Sequence, residues 1–149
     1  MVETLRAFLI TSDGLWFTKV EEKHGFEHAL ELDVEVWTTF ATLASKKILE
    51  KLNISSRDAE AIARTVSVKW RAEGWEFQEV SIGEKEAVLR VTKCPWREAM
   101  VRAGREKLAP RICDEVCTKI YEAWAASINP RARVGKKKTE AFCEFVFSV

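Results

Sequence analysis

All four cysteines of this 149-residue chain follow residue 93, at Cys94, Cys113, Cys117 and Cys143. Cys94 ends a predicted strand and directly precedes a proline. Cys113 and Cys117 are four residues apart on a predicted helix, which places them on one helix face. Cys143 falls in the last predicted strand. Four thiolates brought together by a strand end, a helix face and a neighbouring strand would hold a metal centre.

The spacing of these cysteines favours an iron–sulfur cluster, with zinc as the alternative. Structural zinc sites usually draw their ligands from short Cys-x2–4-Cys knuckles. Cysteines one helical turn apart are separated by roughly 6 Å, which suits a larger cluster at least as well as a single ion. The pair Cys94-Pro95 also recurs in bacterial-type iron–sulfur ligand runs, although the compact ferredoxin spacing is absent. Buried small hydrophobic residues, disulfides and reactive thiols remain open alternatives.

Aromatic and basic residues near the cysteines indicate a small-molecule pocket. Trp96 follows Cys94-Pro95 directly and is expected to shield the thiol site. A flat apolar lining, to which Trp16 is also assigned, suits an aromatic or heterocyclic ligand. Arg97 and Arg111 are expected to hold an anionic group of that ligand, such as a carboxylate.

Other candidate constellations are weaker. The run from His24 to His28 matches the inverted zinc-hydrolase pattern H-x-x-E-H, but the intervening Gly25 predicts a helix break between the two histidines. These are the only histidines in the chain, which excludes a three-histidine zinc site. The acids at 27, 31 and 35 predict a solvated helix face. Asp33 interrupts an apolar run, so if buried it needs a partner and its pKa would be perturbed.

The hydrophobic pattern predicts the elements that position these residues. Helices are expected over 3–11, from an Asp13 N-cap to His24, and over 26–52. A further helix is expected from a Ser55 or Ser56 cap to Glu73. Alternation then predicts a hairpin over 75–92, a short helix from Pro95, a helix from Pro110 to Ile128, and a last hairpin over 131–149 that includes Phe142. This order predicts an α+β fold, in which N-terminal helices pack with an antiparallel sheet made of two hairpins (ββ-αα-ββ).

Length and composition indicate one domain over residues 1–149, with a helical part over 1–74 and an α+β part carrying the cysteines over 75–149. The chain contains 47% hydrophobic and 32% charged residues, which excludes a disordered or fibrous protein. No apolar run predicts a membrane span or a secretion signal, so we expect a cytoplasmic protein. The scarcity of Asn, Gln and Met resembles a thermophile's composition.

Several segments resemble known families. The segments 93–96 (KCPW), 112–114 (ICD) and 143–145 (CEF) resemble the C-terminal pattern of L-2-amino-thiazoline-4-carboxylate hydrolase-like proteins. The segments 13–17 (DGLWF) and 25–29 (GFEHA) are similar to a related archaeal family of unknown function. More distantly, the order ββ-αα-ββ with C-terminal cysteines is similar to vinyl-4-reductase domains, which implies a small-molecule binder with a cysteine metal site. The hydrolase resemblance implies opening of a thiazoline ring by water.

Three functional hypotheses follow. The leading one is a cysteine-ligated metal protein, with an iron–sulfur cluster on the four thiolates and a small-molecule pocket. The second is a hydrolase of a cyclic sulfur or amide compound, in which Cys94 or Cys113 acts as nucleophile at a helix start. The third is a non-catalytic regulatory or ligand-binding module with structural cysteines. We expect a homodimer through the long helix 26–52, whose apolar surface is wide. The basic run over 131–138 has no aromatic platform, so nucleic acid is an unfavoured partner.

Overall fold

A computed structural model of the chain describes residues 1–139 and 143–149. Two long helices come first, α1 (Val2–His24) and α2 (Phe26–Lys51). Gly25 joins them with a φ of +88°, a conformation that glycine adopts without steric cost. The predicted break before Asp13 is wrong, because α1 runs without interruption through Gly14. A glycine inside a helix costs only about 1 kcal/mol, which packing of α1 against α2 outweighs.

The third helix, α3 (Ala59–Glu73), forms the centre of the core. Asp58 caps it by accepting a 2.8 Å hydrogen bond from the Ala61 backbone N–H, so the predicted cap at Ser55 or Ser56 is wrong. The expected stop is confirmed, since Gly74 ends the helix in the left-handed conformation with a φ of +84°.

Two antiparallel hairpins form one four-stranded sheet, as predicted. The strands are β1 (Glu76–Ile82), β2 (Glu86–Lys93), β3 (Arg133–Lys138) and β4 (Cys143–Ser148). Their order in the sheet is β1-β2-β4-β3, so the two hairpins join through β2 and β4. Phe142, which the alternation assigned to the last strand, lies outside the described residues. The α+β fold class is confirmed.

The connection between the hairpins is helical. It contains α4 (Pro95–Arg102), a 3-10 turn (Glu106–Leu108), α5 (Ala109–Ile112) and α6 (Thr118–Ile128). Between α5 and α6 the backbone widens into a π-helical segment, Cys113–Cys117, which the sequence pattern did not predict. The predicted helix from Pro110 to Ile128 is therefore present, but with a wide turn where two of the cysteines lie.

One face of the sheet packs against α3 and α6. Alternation along β2 and β4 turns Leu89, Phe145 and Phe147 inward, and all three are fully buried. Trp70 of α3 meets Phe145 edge-on, with ring centroids 5.6 Å apart. α2 packs on the outer side of α6, and α1 packs on α2. No described helix is both long and apolar enough to cross a membrane.

Candidate functional site

The sheet brings two of the cysteines to the same end. Cys94 directly follows β2, and Cys143 begins β4. Because β2 and β4 are antiparallel, the end of one strand lies beside the start of the other, and Cys143 pairs with Val91. Cys143 has the same parity as Phe145, so its side chain lies on the helix-covered face.

The π-helical segment brings the other two thiols to this end of the sheet. Lys136 of β3 donates a hydrogen bond from Nζ to the backbone oxygen of Cys113. This contact ties the third strand to the wide turn that carries Cys113 and Cys117. Single π turns inside helices are rare and occur frequently at functional sites.

The four cysteines line one common cavity of about 440 Å³, which we call the sulfur cleft. All four are free thiols and half-buried. No group of three or more His, Cys, Asp or Glu side chains in residues 1–139 and 143–149 is arranged to hold a single metal ion.

The sulfur cleft is strongly basic. Five cationic side chains and one carboxylate share its lining, namely Lys93, Arg97, Arg102, Lys136, Lys138 and Glu98. The positive charge of Lys136 acts to lower the pKa of both Cys117 and Cys143. The excess of positive charge favours an anionic occupant.

The thiolate form of three of the cysteines is disfavoured in the sulfur cleft. Burial is the largest cause, and it raises the pKa of Cys94 to about 12 and that of Cys117 to about 12. Burial also raises the pKa of Cys143. Cys113 adds a further rise to each of the three, as expected when several thiols share one cavity.

A second, smaller cavity of about 90 Å³, which we call the inner chamber, lies behind the cleft. Cys94, Cys113, Cys117 and Trp75 line both cavities. On its far side the inner chamber is lined by Asp13 of α1 and Asp33 of α2.

The predicted anomaly of Asp33 is confirmed. Its side chain is only 5% exposed, and its Oδ1 atom accepts no hydrogen bond within the described part of the chain. Burial, and then the neighbouring Asp13 carboxylate, raise its pKa to about 7. Asp13 accepts a 3.0 Å hydrogen bond from Trp37 Nε1, and burial raises its pKa to about 6.

A buried ion pair on α3 completes the wall of the inner chamber. Lys69 Nζ lies 2.6 Å from Glu73 Oε2, and both side chains are almost fully buried. Trp75 Nε1 donates a 2.9 Å hydrogen bond to the same carboxylate oxygen. The Lys69 ammonium also faces three aromatic rings, at 5.6 Å from Trp37, 5.9 Å from Trp75 and 5.8 Å from Tyr121.

The predicted ligand-binding residues divide into two groups. Trp96 lines the inner chamber and meets Trp37 edge-on at 5.2 Å, and Arg97 lines the sulfur cleft. Arg111 lines neither cavity and instead binds Glu27 and Glu115 at the surface. Trp16 also lines neither cavity and is 38% exposed.

The two histidines lie on either side of the helix break at Gly25, as predicted from the sequence. The rings of His24 and His28 lie tilted against each other on the surface, with centroids 5.2 Å apart and an interplanar angle of 57°. Of the acids on the next turns, Glu27 forms an ion pair with Arg111. The exposed acidic face predicted for α2 is confirmed, because Glu27, Glu31 and Glu35 are all exposed.

Sequence reasoning missed Asp13, Lys69, Glu73 and Trp75 as site residues. Asp13 was interpreted as a helix cap. Its hydrogen-bond partner Trp37 lies on another helix, so the local sequence gives no sign of the contact. The signal for the other two charges was present, since Lys69 and Glu73 interrupt the apolar stripe of α3 that carries Val66 and Trp70. Charged residues on a buried helix stripe require partners and mark a polar site.

The comparisons with known proteins assign a family without assigning a reaction. A model of a family of unknown function, DUF6125, matches residues 1–144. No curated protein and no solved structure matches the chain. The family match spans nearly the whole sequence, including the sulfur cleft and the inner chamber, and the chain therefore belongs to the DUF6125 family.

Proposed function

We propose that this protein binds an iron–sulfur cluster in the sulfur cleft, with Cys94, Cys113, Cys117 and Cys143 as thiolate ligands, next to a small-molecule pocket. The observation that carries the proposal is the common cavity that all four thiols line. They come from a strand end, a strand start and a π turn, so three separate parts of the chain converge on it.

The size and charge of the cleft support a cluster rather than a single ion. A cluster held by four thiolates separates its ligands more widely than one tetrahedral zinc does. Such a centre is anionic, and Arg97, Lys136 and Lys138 place positive charge around it. Hydrogen bonds and nearby charge of this kind also tune the reduction potential of a cluster. Zinc remains the alternative metal.

The raised thiol pKa values are compatible with metal binding, because coordination deprotonates a thiol outright. They argue against the alternative hydrolase in which Cys94 is the nucleophile, since a reactive cysteine needs a lowered pKa. That alternative would therefore depend on Cys113.

The experiment is purification without oxygen, followed by quantification of iron, sulfide and zinc and by visible absorption spectroscopy. The expected result is iron and sulfide in equal amounts, with a broad sulfur-to-iron charge-transfer band. Each single Cys→Ala variant should lose most of the iron. The matched control is Thr118→Ala, which lies beside Cys117 but lines neither cavity. Colourless wild-type protein without iron would contradict the proposal. Stoichiometric zinc bound by the same four cysteines would show that the metal is zinc and not an iron–sulfur cluster.

We also propose that the protein is cytoplasmic and that it forms a homodimer. Four free thiols fit a reducing compartment. Large apolar side chains are exposed along α1 and α2, among them Phe8 (65%), Leu15 (58%), Phe40 (43%) and Leu43 (67%). A second copy would bury this face, and light scattering of wild type against a Phe8→Glu/Leu43→Glu variant tests it. A monomeric wild type would refute the dimer.

A further inference from the structure

The inner chamber contains more negative than positive charge. Three carboxyl groups, those of Asp13, Asp33 and Glu73, belong to its walls or lie against them. The single cation among them, Lys69, is already engaged by Glu73 at 2.6 Å. Neither aspartate forms an ion pair with any Lys, Arg or His of the described ranges. The buried Asp33 and the half-buried Asp13 are thus left without a counter-charge within the described residues.

Asp33 places part of this unpaired negative charge in the lining of the chamber. It lines the cavity, is 95% buried, and its Oδ1 atom has no hydrogen-bond partner within the part of the chain described. Leaving a buried carboxylate oxygen unsatisfied costs on the order of 1–3 kcal/mol. Such a group in a folded protein calls for a ligand, an ion or a water molecule that satisfies it.

The other walls favour an organic cation. Trp37, Trp75 and Trp96 line the chamber, and the negative face of an indole ring attracts ammonium groups. The protein already uses this environment for its own ammonium, since Lys69 lies within 6 Å of the Trp37 and Trp75 rings. A metal ion is disfavoured, because no three potential ligands converge in the described residues. The volume of about 90 Å³ matches roughly three water molecules, which is the size of a small ammonium group.

We propose that the inner chamber is a binding site for the ammonium group of a small organic cation, held by the carboxylates of Asp33 and Asp13 and enclosed by Trp37 and Trp96. The raised pKa values of both aspartates are the expected behaviour of carboxyl groups that lack this cation. The residues proposed to hold the cation lie on α1, α2 and the start of α4, and none of them is among the four cysteines of the sulfur cleft.

The test is a titration of the full chain with methylammonium chloride, followed by ¹⁵N NMR of the tryptophan indoles. Trp37 is the reporter, because its Nε1–H donates to Asp13. We expect a saturable shift of this resonance, with and without metal in the sulfur cleft. Methanol, a neutral molecule of similar size, should produce no saturable shift at the same concentrations. Sodium chloride at equal ionic strength is the salt control.

Substitutions identify the site. Asp33→Asn should weaken methylammonium binding at least tenfold, whereas Glu31→Gln, on the exposed face of the same helix, should leave it unchanged. If Asp33→Asn does not fold, Asp13→Asn, read through the ring protons of Trp96, should show the same loss. Three results would overturn the proposal: no saturable shift in wild type, equal binding of methanol, or full affinity in a folded aspartate variant. If wild-type protein binds methylammonium but no iron, only the proposed metal centre is refuted.

Discussion

Replacing Asp33 by Asn should stabilise the protein at alkaline pH and leave its stability at acidic pH nearly unchanged. Asp33 is 5% exposed, and burial together with Asp13 raises its pKa from the ordinary value of 3.8 to about 7. The folded state therefore binds this proton more tightly than the unfolded state does. Between pH 4 and 7 the folded protein carries more protons, so its free energy of unfolding must fall as the pH rises.

The size of the effect follows from the same values. Each tenfold change in proton affinity corresponds to about 1.4 kcal/mol, so an Asp33 pKa of about 7 costs the folded state about 4 kcal/mol once Asp33 is ionised. Asn has the same shape and no charge, so it avoids this cost.

Urea denaturation at pH 5, 6, 7 and 8 measures the difference. The free energy of unfolding of wild type should decrease across this range, and that of Asp33→Asn should decrease less. The gap between them should widen by a few kcal/mol toward pH 8. Glu31→Gln on the exposed face of α2 is the control and should follow wild type. Parallel curves for wild type and Asp33→Asn would refute the reasoning, because Asp33 would then titrate alike in both states.

Three further predictions test the surroundings of the two cavities. Lys136→Gln should raise the pKa of the Cys117 and Cys143 thiols and so slow their alkylation at pH 8. The control Lys137→Gln, on the opposite face of β3, should leave the alkylation rate unchanged. Equal rates in the two variants would contradict the role of Lys136. Lys69→Met should lower the free energy of unfolding, measured in urea, by about 3–5 kcal/mol, because it leaves Glu73 buried and unpaired. Adding Glu73→Gln should recover much of this loss. A Lys69→Met variant as stable as wild type would show that the ion pair is solvated. Phe145→Ala should cost about 3–5 kcal/mol, because the ring is fully buried against Trp70 and Tyr121, and a loss below 1 kcal/mol would contradict that packing.

Local signals predicted most of the fold. The hairpins alternate, Pro95 opens a helix, and Gly25 and Gly74 end helices, so each of these features is encoded by a few neighbouring residues. The cap of α3 was misplaced because Ser55, Ser56 and Asp58 are all good N-cap residues. Only the 2.8 Å contact from Ala61 to Asp58 distinguishes them.

The candidate site was predicted in part. The cysteines could be found because thiols are rare and their spacing carries information. The convergence of the four thiols on one cavity depends on the register that pairs Cys143 with Val91 and on the π turn at Cys113–Cys117, neither of which has a local sequence signal. Arg111 was assigned to the ligand because it lies close to Cys113 in sequence. In the fold its guanidinium group points to Glu27 on α2.

The inner chamber could not be predicted from single positions. Asp13 and Asp33 lie on different helices, and their proximity follows from the way Gly25 reverses the chain between α1 and α2. Of the two aspartates, only Asp33 gave a signal, because it is an acid within an apolar run. Lys69 and Glu73 gave the same kind of signal on α3, and both are buried.

The central claim is that four sulfur atoms bind one centre. Crystals grown without oxygen, with diffraction data collected at the iron absorption edge, test it most directly. We predict a compact group of iron peaks in the sulfur cleft, with the Sγ atoms of Cys94, Cys113, Cys117 and Cys143 each within bonding distance of one of the iron atoms. An iron peak elsewhere, or four free thiols around a cleft without anomalous density in protein supplied with iron and sulfide, would contradict the account.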